Sequence, residues 1–309
     1  MSAPGTADTE AAGVRAAPVR LSPSDSIETA ASGIFLTALD HFAANAAIFA
    51  QSETIESVHQ MRVALRRLRA AISLFRSALA GSGLATAAVR AKTIAATLGD
   101  ARDSDVFLQM LEAGPGATME APNLCALRAA AQGDRDAGYA AARKMLQDAG
   151  TPAFIDDLRR LIAARDWIAA PGAEEAGSAR VFAKTALARL YKRARRKSRH
   201  LATQTPDERH AARIALKKAR YGAEFFESLF DHQRAARDFT RTLAMLQDGL
   251  GAFNDLAAAN RQLARLHADD ASLAAAAGFV RGWFAHAARA SADHAQKSEK
   301  QLKALKTFW

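Results

Sequence analysis

Cysteine is almost absent from this 309-residue chain, with Cys125 its single example. No disulfide within the chain can form, and no thiolate metal site can be assembled from one sulfur. β-Branched and aromatic residues are sparse, and no segment alternates apolar and polar residues as a half-buried strand would. No run of about 18 apolar residues is present, so no membrane span is expected. The first twenty residues carry no apolar core of signal-peptide length. Phosphate-loop, His-Glu-x-x-His and Gly-x-Ser-x-Gly patterns are all missing, which removes the commonest catalytic signatures. A soluble cytoplasmic protein that is not an enzyme and needs no cofactor is the resulting expectation.

Alanine and leucine dominate what is present. Half of the residues are hydrophobic, and both of these types favour helix. The class predicted is all-α. Residues 1–24, rich in Ala, Pro, Gly, Ser and Thr, read as a disordered tail. Helices are predicted at about 26–50, 52–80, 84–112 and 122–148, joined by connections short enough for an antiparallel bundle. An extra helix lies near 152–168. The stretch 171–177, PGAEEAG, is the best linker. The pattern then restarts, with helices at about 178–202, 206–230, 233–267 and 270–306. Two regions follow, 25–170 and 178–309.

That restart is an internal repeat. His59-Gln60-Met61-Arg62-Val63-Ala64-Leu65-Arg66-Arg67-Leu68-Arg69 aligns with His210-Ala211-Ala212-Arg213-Ile214-Ala215-Leu216-Lys217-Lys218-Ala219-Arg220, 151 positions later. Each basic position in the first copy is basic in the second. Leu98-Gly99 and Asp103 are echoed by Leu250-Gly251 and Asp255, 152 positions on.

The net charge is +10, and its arrangement indicates a polyanionic partner. On a helix His59, Arg62, Arg66 and Arg69 form a row beside the apolar stripe Val58, Met61, Leu65, Leu68, Ile72 and Phe75. His210, Arg213, Lys217 and Arg220 form the matching row. Arg67 and Lys218 point away from these faces and read as solvated. Arg189, Lys192, Arg193 and Arg196 make a third row. Residues 181–221 hold thirteen Lys and Arg against two acids, Asp207 and Glu208. A charged helix face is usually just solvated surface, but such faces mix signs, because like charges one turn apart repel. Unmixed rows on three helices, two of them in register with the repeat, favour anion binding.

Cations about 5 Å apart over several turns suit a linear polyanion. Nucleic acid is the alternative partner, but no aromatic side chains interleave the rows to stack on bases. Metal-dependent hydrolysis at Asp100, Asp103 or Asp105 is a further alternative. Carboxylates among so many arginines more commonly orient them, and no metal site is expected.

The segments HQMRVALRRLRAAISLFRSAL, LGDARDSDV, RHAARIALKKARYGAEFFESLF and LQDGLGAFNDLAA together resemble the CHAD domain, the conserved-histidine α-helical domain, over about residues 25–306. The resemblance implies two four-helix bundles related by a pseudo-two-fold repeat, with a basic groove or pore between them. It implies binding of inorganic polyphosphate and recruitment to polyphosphate granules. It places the binding residues at His59, Arg62, Arg66, Arg69, His210, Arg213, Lys217 and Arg220, with Arg189, Lys192, Arg193 and Arg196 on the preceding helix. The family often accompanies a CYTH triphosphate-tunnel domain. No β-rich segment of that kind is present, so a stand-alone binder is expected. The first-half counterpart of the third row, Ile34–Ala50, has no Lys or Arg. The two walls should be unequal.

Overall fold

The computed structural model describes residues 13–118, 122–169, 178–201, 203–290 and 299–309. The expected linker 171–177 and residues 1–12 of the expected tail lie outside these. The all-α expectation holds. The helices are α1 (Ile27–Gln51), α2 (Ile55–Phe75), α3 (Ser82–Ala113), the single turn α4 (Pro115–Thr118), α5 (Pro122–Gln147), α6 (Gly150–Ala164), α7 (Ala179–Lys197), α8 (Pro206–Phe226), α9 (Gln233–Gly249), α10 (Gly251–Asp269) and α11 (Ala274–Ala290). Residues 299–304 are also helical.

Local chemistry sets the starts. The Ser26 hydroxyl accepts from the Thr29 N–H at the head of α1, and Thr54 accepts from the Ser57 N–H at the head of α2. Thr205 and Glu208 form a reciprocal capping box at α8, with Pro206 in the first turn, where its missing N–H costs nothing.

Three boundaries differ from the sequence reading. α2 ends at Phe75 rather than near Ala80. Leu79–Ala80 instead pair antiparallel with Ile168–Ala169, a two-residue ladder that also shortens the helix expected to reach 168. The helix expected over 233–267 breaks at Leu250, which lies between Gly249 and Gly251, two of the poorest helix formers. Residues 13–24 are not a structureless tail. Val19 and Leu21 are buried, the Leu21 N–H donates to Ser228 Oγ, and the Val14 N–H donates to Asn45 Oδ1.

By length and a mean hydropathy of 1.4, α1 is long and apolar enough to cross a membrane, the one such helix among the described residues. Its Ile34, Phe35, Leu39 and Phe42 are fully buried in the core. α1 packs mainly along α2.

The packing does not divide at the linker. One apolar core runs from Val19 to Phe308 and draws on both halves. Phe75 of α2 sits at its centre, edge-on to Phe35 of α1 at 5.8 Å, stacked on Phe182 of α7 at 5.1 Å, and edge-on to Phe226 of α8 at 6.0 Å. A second cluster joins the end of α3 and α5 to α10 and α11, through Phe107, Leu111, Leu127, Leu263, Val280 and Phe284. The last helices of the second region thus cover helices of the first. The expected bundle regions 25–170 and 178–309 therefore share their cores.

Candidate polyanion-binding site

The two repeated helices, α2 and α8, pack against each other. Arg67 lies in their interface with only 8% of its side chain exposed. Its guanidinium pairs with Glu224 and stands 5.1 Å from the ring centre of Phe225 and 5.7 Å from that of Tyr221. Glu224 also faces Arg220 Nε at 3.6 Å. The sequence assigned Arg67 to solvent because it points away from the basic row of α2. The structure covers that face with α8, so Arg67 is a structural cation with a dedicated partner.

The basic rows meet beside this pair. Burial and the neighbouring Arg66, Arg213, Arg220 and Arg62 push the Lys217 ammonium from its ordinary value of 10.5 down to about 7. Burial also lowers Arg213, where Asp255 opposes the shift and Arg66 adds to it. Arg66 of α2 is therefore close to both Arg213 and Lys217 of α8. Arg62 is lowered chiefly by burial, against the attraction of Asp103 and with added repulsion from Arg66 and Arg102.

Arg62 Nη2 lies 3.7 Å from Asp103 Oδ1. The guanidinium crosses α3 where the chain has Gly99, and a Cβ there would stand 2.7 Å from Arg62 Nη1. The Leu-Gly…Asp motif thus has a physical role in this half: the glycine clears space and the aspartate orients the arginine. Asp105 serves elsewhere. Its side chain is fully buried, accepting from Arg135 Nε at 2.8 Å and from the Tyr139 hydroxyl at 2.9 Å. Among the described residues no group of three or more His, Cys, Asp or Glu side chains is placed to hold a metal ion.

Arg62 Nη1, Arg66 Nε and Arg213 Nε are buried nitrogens without a hydrogen-bond partner among the described residues. A buried donor left unpaired is costly, most of all on a charged group, so these atoms can still take a partner.

A cavity of about 760 Å³ opens between α2, α8 and the start of α3. Arg66, Arg69, Arg76, Lys92, His210, Arg213, Lys217 and Lys218 line it, and among the described residues none of the lining is acidic. Arg76, Lys92 and Lys218 are additions to the sequence-derived set. Arg76 was legible, since it lies seven residues beyond Arg69 on the same helix face. Lys92 has no pattern in α3 that marks it. Lys218, expected in solvent, lines the cavity because α8 turns that side toward α2. Burial lowers its ammonium, and Arg193, Arg69 and Arg76 lower it further.

The other sequence candidates are distributed unevenly. His59 does not line the cavity. Burial and the charge of Arg102 on α3 hold its imidazole below the ordinary value. His210 is exposed at the cavity edge. Arg189, Lys192, Arg193 and Arg196 are all exposed on α7, and none lines the cavity. Arg193 approaches it through Lys218. The cations are therefore a half-buried cluster on α2 and α8 with an exposed row on α7.

The CHAD domain family matches residues 33–264. The crystal structure of the CHAD domain from the plant Ricinus communis superposes with a TM-score of 0.82 at 27% identity, covering 96% of this chain and 98% of that one. PptA from Streptomyces chartreusis shares the fold, with a TM-score of 0.64 at 16% identity over 93% of this chain and 100% of its own. No curated protein matches in sequence. With three quarters of its length inside the family match and the repeated basic helices packed together in the fold, the chain belongs to the CHAD domain family.

Proposed function

We propose that this protein binds inorganic polyphosphate without chemical turnover, through the cations that α2 and α8 bring together, and that this binding directs it to polyphosphate granules. The CHAD family is associated with polyphosphate binding. The observation that carries the reading is the set of buried guanidinium nitrogens on Arg62, Arg66 and Arg213 without a hydrogen-bond partner among the described residues, beside a cavity whose described lining is cationic and holds no acid. Phosphate oxygens are the acceptors that guanidinium forks fit best. A linear chain can engage Arg66, Arg213 and Lys217 together, then continue past Lys218 to Arg193 on α7. Affinity rises with chain length through such linked contacts.

The test is equilibrium binding of fluorescent long-chain polyphosphate to wild type and to the variant R62E/R66E/R213E/K217E, with helix content followed by circular dichroism. The variant is expected to lose binding and keep its helical spectrum. Undiminished binding overturns the reading. Competition by duplex DNA at physiological salt distinguishes the nucleic-acid alternative, since a site built for phosphate chains prefers polyphosphate at equal phosphate concentration. Phosphate release in the presence of Mg²⁺ or Mn²⁺ overturns the non-enzymatic part.

A further inference from the structure

Cations are not the whole of the cavity lining. Aliphatic side chains stand among them, Ile72 from α2, Leu79, Leu84 and Val89 from the start of α3 and the residues before it, and Ile214 from α8. Val89 of α3 is 65% exposed and Ile214 of α8 is 43% exposed, so two large apolar side chains from different helices stand in water at one opening. An inorganic phosphate chain has nothing to bury against them. Uncharged polar groups in the described lining are few: Ser73, the buried Tyr221 and a neutral His210 are the side chains able to offer a hydrogen bond without charge. A sugar or nucleobase would find little to recognise it, whereas a saturated or isoprenoid chain needs only apolar contact. The volume, about 760 Å³, lies in the range of small-molecule sites, which combine apolar walls with a few polar anchors.

We propose that this cavity also takes phosphorylated aliphatic compounds, with the phosphate end held by Arg66, Arg213 and Lys217 and the hydrocarbon laid against Leu84, Val89 and Ile214. The proposal rests on the anion-binding reading of the same cations. It adds a ligand class, alkyl or prenyl phosphates, that a charge-only groove would not distinguish from inorganic phosphate. Each buried methylene is worth about a fourfold gain in affinity, so even a partly seated chain of ten carbons gives a large effect.

The experiment compares geranyl diphosphate with methyl diphosphate by calorimetry, on the full chain and on V89S/I214S. Both substituted side chains are exposed, so the fold is expected to tolerate the change. Geranyl diphosphate is expected to bind wild type at least about tenfold more tightly than methyl diphosphate, and that preference is expected to fall severalfold in the variant. Vesicles with and without phosphatidic acid form a second arm. Capture by phosphatidic acid vesicles alone, lost in V89S/I214S, assigns the aliphatic phosphate to a lipid headgroup. A preference confined to the soluble compounds assigns it to a free metabolite. Equal affinity for the two diphosphates overturns the proposal, as does a geranyl preference that V89S/I214S leaves unchanged, because the chain would then be buried elsewhere. Long-chain polyphosphate is measured on the same samples. If it binds both proteins alike while the geranyl preference is missing, the polyphosphate reading stands and this proposal falls. If geranyl diphosphate binds and polyphosphate does not, the reverse holds.

Discussion

Lys217 is the group whose charge the fold holds least firmly. With its ammonium brought down to about 7 by burial and four nearby guanidinium groups, the free protein at pH 7 keeps this proton about half the time. A phosphate chain lying between the rows supplies the missing negative charge and returns the lysine toward its ordinary 10.5. Binding above pH 7 therefore takes up a proton. At pH 9 the free group is only about 1% charged, so the affinity for polyphosphate is expected to fall about 50-fold between pH 7 and pH 9, or roughly 2 kcal/mol.

The assay is the equilibrium constant for one defined long chain at constant ionic strength across that range. It begins at pH 7, above the window in which His59, already held below its ordinary 6.5, changes charge. Lys217→Arg keeps the site charged throughout and should bind with little pH dependence. A flat wild-type profile, or an arginine variant as steep as wild type, refutes the reasoning. Stability carries the same linkage with its own sign. The unfolded lysine titrates near 10.5 and the folded one near 7, so between these values the unfolded chain holds more protons. Stability of the free protein should rise as pH increases through that window and be lowest at its bottom. Lys217→Met should remove that slope and raise stability at pH 7 by roughly 1–2 kcal/mol, after allowing for the part of the side chain that water still reaches.

Further expectations concern the supports of the site. Gly99→Ala should weaken polyphosphate binding by displacing the Arg62 guanidinium, while changing the unfolding free energy by no more than about 1 kcal/mol, since alanine improves the helix and the clashing atom is the mobile end of a side chain. Glu224→Gln leaves Arg67 charged in the α2–α8 interface without its carboxylate and should cost roughly 3 kcal/mol in denaturant unfolding. Phe75→Ala removes the ring that joins α1, α2, α7 and α8 and should cost about 4 kcal/mol. Charge-neutral variants of exposed Arg189 and Arg196 should reduce affinity for long chains and shallow the salt dependence, leaving short chains nearly unaffected.

The periodicity of α2 and α8 made both basic rows legible, because a helix fixes which side chains share a face whatever surrounds it. Arg62, Arg66, Arg213 and Lys217 follow from spacing alone. What lies on the reverse face does not. Arg67 and Lys218 looked solvated because one helix carries no record of the partner that will cover it, and α8 arrives from 150 residues away. The break at Leu250 was foreshadowed by its two flanking glycines, yet the apolar periodicity continues through it and masked the change of direction. The aliphatic part of the lining escaped notice for another reason. Leu84 and Val89 belong to α3 and Ile214 to α8, and only packing makes them neighbours. Residues 13–24 show the limit of composition: Val19 and Leu21 are too few to form a periodic signal, but two buried side chains and a hydrogen bond to Ser228 suffice to order the backbone.

The cores that span both regions put the site on a seam. α2 and α8 present like charges to each other, and that repulsion tends to part them. The Phe75 cluster and the Arg67–Glu224 pair work to keep them together. A polyanion seated between the rows would cancel the opening force and act as a clamp across the joint. The protein would then be mechanically tighter when loaded than when empty, with its unfolding midpoint climbing as polyphosphate is added. In such an arrangement the ligand would become part of the fold's own cement.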